Sequence, residues 1–218
     1  MARRHSGGEK KPPKPYVFLV EGEKTETFYL KHSLKVDLRE SQIDKARCTH
    51  ALGIVEEAIQ KAKAFKERVR KIYVVFDREF STEQSEGTFL DSFSQIDAKL
   101  KAHQNKIIPI FTSPSIEYVL LLHFKNTHAS YSNNQELERT LKQAVESSTL
   151  SISYEKNREA FFEALTHEHI QKAFNNLKQR DKALSFDDNT PLSERADKKN
   201  MPNSNFYTLI EASGLSTP

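Results

Sequence analysis

Tyr16-Val17-Phe18-Leu19-Val20-Glu21-Gly22 decides the fold class. Five consecutive apolar, β-branched or aromatic residues stop abruptly at a charge and a glycine, which is the pattern of a short strand buried on both faces. Ile72 to Phe76, closed by Asp77-Arg78-Glu79, repeats it, and Ile107 to Phe111 is a third such run. Helical spacing fills the gaps between them. Thr25 is placed to cap a helix reaching about Leu34, with Glu26 in its first turn. Val55, Ala58, Ile59, Ala62, Phe65 and Val69 form one apolar stripe over 52–70, and Phe89, Phe93, Ile96 and Leu100 another over 89–103. Strands alternating with helices predict an α/β fold with a parallel sheet.

After the third strand, Ser113 and Pro114 suit the N-cap and first position of a helix through Phe124. No strand is expected beyond about Lys125. Helices are predicted over 134–146, 158–178 and 206–212, and a polar loop over 179–204. The organisation read from these patterns is a basic, disordered arm over 1–15, an α/β core over 16–128, and a helical extension over 129–218.

The chain has 218 residues and a formal charge of +3. Residues 1 to 15 hold five basic residues and one acid, a net +4, leaving −1 for the other 203. A near-neutral body excludes a molecule coated in positive charge, while admitting one local basic groove. The arm itself reads as a solubilising end or as a source of sequence-independent phosphate contacts. A single cysteine, Cys48, excludes an internal disulfide and a Cys-rich zinc site, and fits a reducing cytoplasm. The apolar runs are far below the ~20 residues that span a bilayer, and the N-terminus lacks the apolar segment of a signal peptide, so a cytoplasmic protein is expected.

Ligands of parallel α/β sheets bind at the carboxyl ends of the strands. Glu21, Asp77 and Glu79 fall there, followed by Ser113 and Glu117 after the third strand. Solvated loops also carry acids at strand ends, but three carboxylates sharing a small volume repel one another unless a hard divalent cation holds them. Gly22 leaves room for close approach to the backbone. Glu23 and Glu26 have a simpler reading as complements to a helix N-terminus. His167-Glu168-His169 lacks the i, i+4 spacing of a helical zinc site, and no Walker A or dinucleotide fingerprint is present.

Glu21-Gly22-Glu23-Lys24-Thr25-Glu26, Val75-Phe76-Asp77-Arg78-Glu79, Ser113-Pro114-Ser115-Ile116-Glu117 running into Leu120-Leu121-Leu122-His123-Phe124, Tyr154-Glu155-Lys156, and Asn203-Ser204-Asn205 before a last helix together resemble the RloB/AbiLii-like proteins. That resemblance implies a Toprim-like α/β fold, shared with topoisomerases, primases and nucleases of the overcoming-lysogenisation-defect type. It also implies an association with restriction loci and phage defence. Residue by residue, it implies that Glu21, Asp77 and Glu79 bind Mg²⁺ or Mn²⁺, Glu79 standing where the superfamily has a second Asp. It further implies catalytic roles for Glu117, His123 and Lys156. Glu117 and His123 are six positions apart and face different sides of a helix, and His123 has an alternative reading as a hydrogen-bonded core imidazole.

The function implied is a metal-dependent nuclease acting in antiphage defence, with RNA such as tRNA slightly favoured over DNA because structured RNA is read by shape and phosphate contacts. Lys24, Arg78 and Lys156 are the expected nucleic-acid contacts. The alternative is a catalytically degenerate sensor or scaffold subunit. Partners expected besides nucleic acid are a protein of the same defence locus and a second copy of the chain; a membrane is not among them.

Overall fold

The computed structural model describes residues 14–78, 86–198 and 201–214, with residues 86–89 as backbone only. The basic arm up to residue 13, the expected ligand Glu79 and the side chain of Phe89 lie outside the described residues.

In chain order the elements are β1 (Tyr16–Val20), α1 (Thr25–Phe28) running into a π-helical turn (Tyr29–Ser33), β2 (Ser41–Lys45), α2 (Ala51–Phe65) and β3 (Lys71–Asp77). Next come α3 (Glu86–Leu100), β4 (Ile107–Ser113), α4 (Ile116–Leu122), α5 (Asn134–Glu146) and α6 (Glu159–Ala164). The chain then runs through α7 (His167–Ala183), α8 (Leu192–Asp197), β5 (Asn203–Ser204) and α9 (Tyr207–Ala212). The sheet order is β2-β1-β3-β4-β5, parallel except for β5 against β4. Among the described residues no helix is long and apolar enough to cross a membrane.

Strand alternation explains why the three apolar runs are continuous. Val17, Leu19, Ile72, Val74 and Phe76 point to one face, where they meet the apolar stripes of α2 and α3 and two residues of α8. Phe18, Val20, Val75 and Ile110 point to the other, covered by the π turn, α4, α5, α6, α7 and α9. Both faces are buried, so neither set of positions can be polar.

The structure departs from the sequence expectations where apolar signal is weak or polar groups pair. β2 has Ile43 as its sole large apolar residue, because it is the edge strand beside β1 and is half-exposed on most of its length. Ser113 does not cap α4: it remains in β4, paired with Asn203, and the Ser113-Pro114 peptide is cis. Ser115 takes the N-cap position, and α4 begins at Ile116. The expected single helix over 158–178 breaks at Leu165, where Thr166 caps α7 and His169 completes the capping box. His169 therefore serves helix initiation.

The expected 179–204 loop holds the end of α7, then α8 and β5. Polar groups at its end are consumed by β4: Ser204 Oγ donates to Phe111 O, and just beyond it the Asn205 side chain accepts from Phe111 N and donates to Pro109 O. A strand made of Asn and Ser carries no apolar signature, so the expectation of no strand after Lys125 fails there.

Candidate active site

β1 and β3 are neighbours, so their carboxyl ends place Glu21 and Asp77 side by side. Glu21 N donates to Val75 O at 3.1 Å, extending the ladder by one residue, and Glu21 Oε2 accepts from Asp77 N at 3.1 Å. Asp77 is held from the β4 side: Thr112 Oγ1 donates to Oδ1 and Ile116 N to Oδ2 at 3.3 Å.

Glu26 joins them by folding back from α1, its Oε1 accepting from Gly22 N at 3.0 Å. A methyl group at residue 22 would lie 2.2 Å from Glu26 Oε2. A side chain at residue 22 would therefore displace the Glu26 carboxylate from its place in the same loop. Glu117, in the first turn of α4 and 3% exposed, has its Oε2 bonded by Ser115 Oγ at 2.7 Å and its Oε1 2.9 Å from Lys156 Nζ. Lys156 comes from the segment before α6, which Thr25 Oγ1 holds through Asn157 Oδ1 at 3.1 Å. Together these side chains, with Glu23 and Lys24, line a cleft of about 200 Å³.

Five carboxylates line this space and face Lys156 and the exposed Lys24; of them Glu23 is paired outward with Lys45. Burial, and then the charge of Glu26, push the Asp77 carboxyl well above the usual carboxylate range. Glu26 is raised as well, by burial and by Glu117, against the opposing pull of its backbone hydrogen bonds. Lys156 loses solvation in the cleft, yet Glu117 and Glu138 outweigh that and hold its ammonium above the ordinary lysine value.

Of the residues singled out from sequence, Glu21, Lys24, Asp77, Glu117 and Lys156 meet in the cleft. His123 does not. It is fully buried behind α4, Nδ1 2.9 Å from Val119 O and Nε2 2.8 Å from Tyr29 Oη. The carbonyl must accept from Nδ1–H, so Nε2 accepts from the tyrosine, and the ring is neutral; burial lowers its pKa to about 4. His123 is a core imidazole, and Glu117 faces the other way, as their spacing requires. Arg78 is also removed from any nucleic-acid surface: it is buried, and Nε donates to Ala196 O of α8 at 2.8 Å. Glu26, Thr112 and Asn157 are the additions. An acid four residues after Gly22 reads equally well as a complement to a helix N-terminus, so the sequence holds no distinguishing signal for Glu26.

The donor set fits a hard divalent cation in chemistry, since it is all carboxylate oxygen and its charge is under-compensated. Glu21 and Asp77 are the described residues best placed to hold one. Among the described residues, however, these carboxylates do not bring three oxygens within 4.8 Å of one another.

A family model described as RloB-like protein matches residues 16–212. The chain belongs to the RloB-like family. No curated protein and no solved structure matches it. The family match contains every residue of the cleft, and it begins at β1, so in this RloB-like chain the basic arm stands outside the shared part.

Proposed function

We propose that this RloB-like protein is a metal-dependent nuclease that hydrolyses phosphodiester bonds of nucleic acid, RNA such as tRNA ahead of DNA, as an effector of antiphage defence. The observation that carries the reading is the meeting of Glu21, Glu26, Asp77 and Glu117 with Lys156 at the carboxyl edge of a parallel sheet. The resemblance to Toprim-containing nucleases, which leads to Glu21 and Asp77 from sequence, supports it further.

A Mg²⁺ or Mn²⁺ held by Glu21 and Asp77 would supply charge that polarises a phosphoryl oxygen and lowers the pKa of an attacking water. The chain's own groups then divide the remaining work. Lys156 offers an ammonium to a phosphate oxygen, where charge develops in the transition state. Glu117 positions that ammonium. Glu26, whose carboxyl is shifted upward, is suited to hold a proton at a carboxylate oxygen during the reaction. Thr112 and the Ile116 N–H fix the orientation of Asp77.

One observation favours the second reading, a non-enzymatic sensor or scaffold: both Asp77 oxygens already accept hydrogen bonds from the protein. Sequencing RNA ends and DNA ends after induction in cells separates the two. New ends that appear with wild type and vanish with Glu21→Ala support the nuclease and identify its substrate. Intact nucleic acid together with phage protection that survives Glu21→Ala overturns it.

A further inference from the structure

Among the described residues outside the cleft, His32, Glu159 and Glu163 converge as potential metal ligands: one ligand atom from each, all within 4.8 Å of one another. The two glutamates are one turn apart on the same face of α6, and His32 reaches them from the π-helical turn after α1. Nε2 of His32 lies 2.6 Å from Glu159 Oε1, and Nδ1 lies 3.6 Å from Glu163 Oε1. This is not a well-formed hydrogen-bonded ion pair, because Nε2 is closed to solvent and makes no aligned hydrogen bond. A ring nitrogen shut away beside a carboxylate, without a hydrogen bond directed at it, costs free energy unless something else satisfies it. Donors sharing one ion at ~2.1 Å stand roughly 3 Å or more apart, so the Glu159 carboxylate has to draw back slightly from Nε2 to admit an ion.

The ligand chemistry differs from that of the cleft. One imidazole and two carboxylates suit a borderline dication such as Zn²⁺, whereas Mg²⁺ takes oxygen ligands and retains its water. We propose that His32, Glu159 and Glu163 form a second metal site, for Zn²⁺ or a similar transition-metal dication, that clamps the π turn to α6. The clamp bears on the cleft by position. Glu26 lies six residues before His32, and Lys156 lies three before Glu159. The same two segments are already tied by Thr25 to Asn157 and by Ser33 Oγ to Phe162 O at 3.0 Å. An ion here fixes the segment that carries the Glu26 carboxylate against the one that carries the Lys156 ammonium.

The test uses the full chain, stripped with a chelator and titrated with Zn²⁺ alone, comparing wild type with Glu163→Gln, His32→Gln and Asp77→Asn. Glu163 is 58% exposed, so its substitution leaves the core intact. Wild type and Asp77→Asn are expected to bind one equivalent that Glu163→Gln and His32→Gln bind at least about tenfold more weakly. Co²⁺ in wild type is expected to show d–d bands of nitrogen and oxygen ligation that His32→Gln lacks. Zn²⁺ binding that is unchanged in Glu163→Gln, or lost in Asp77→Asn alone, overturns the proposal. None of these readings depends on nuclease activity, so this site and the nuclease reading fail separately.

Discussion

Two groups of buried charge in this protein are built in opposite ways. Beneath α9, Arg195 and Asp181 are 2% and 4% exposed and pair through two hydrogen bonds of 3.0 and 2.7 Å. Tyr207 Oη donates to the same carboxylate, Asp187 O accepts from the guanidinium, and Phe186 lies against its face. Charge is cancelled and the bonding is dense. At the sheet edge, Glu21, Glu26, Asp77 and Glu117 crowd together with Lys156 and Lys24; burial and then Glu26 drive Asp77 upward, and burial and Glu117 drive Glu26 upward. The balanced cluster holds α7, α8 and α9 together. The unbalanced one carries charge that the fold leaves uncompensated, which is what the proposed cation would relieve.

The largest effect that would sharpen this contrast is on stability. Asp181→Ala leaves a buried guanidinium unpaired and is expected to cost about 3–5 kcal/mol, read from urea unfolding. A loss below about 1 kcal/mol would remove the balanced half of the comparison. Asp77→Asn is expected to do the reverse, keeping or raising stability at neutral pH while lowering cation-dependent cleavage by roughly 10²-fold or more. Stability that drops as it does for Asp181→Ala would break the contrast. Gly22→Ala forces Glu26 from its seat and is expected to cost about 1–3 kcal/mol by overpacking, with loss of activity; a neutral outcome would show that Glu26 has another place to go.

The smallest effect is in pH dependence. The folded-state pKa values of Asp77 and Glu26 lie above their unfolded values, so their contribution to stability is full below about pH 4 and is lost as pH rises through the folded values. Wild type without divalent cation is therefore expected to lose stability relative to Asp77→Asn as pH rises from about 4 toward neutrality. Parallel stability curves would contradict the assignment of unrelieved charge.

The sequence carried more of the fold than of the site. β1, β3 and β4 are legible because burial on both faces demands unbroken apolar runs. β2, with Ile43 alone, and β5, made of Asn203 and Ser204, are held by backbone pairing and carry little side-chain pattern. α8 is anchored by Arg195, a residue that sequence patterns place at the surface. Within the site, Glu21 and Asp77 followed from strand ends. Glu26 did not, since nothing local distinguishes an acid complementing a helix N-terminus from one folded back over a glycine. His123 and Arg78 are polar residues whose partners, Tyr29 and Ala196, lie 94 and 118 positions away, and no local pattern reports contacts of that range.

The most direct measurement is thermal unfolding of the full chain against Mg²⁺ or Mn²⁺, for wild type and Asp77→Asn. A cation that binds only the folded state stabilises it by about 1.4 kcal/mol at roughly ten times its dissociation constant, about 3–6 °C for a chain of this size. That rise is expected in wild type and absent in Asp77→Asn. Equal rises in both, or none in wild type, would contradict a cation site built on Glu21 and Asp77.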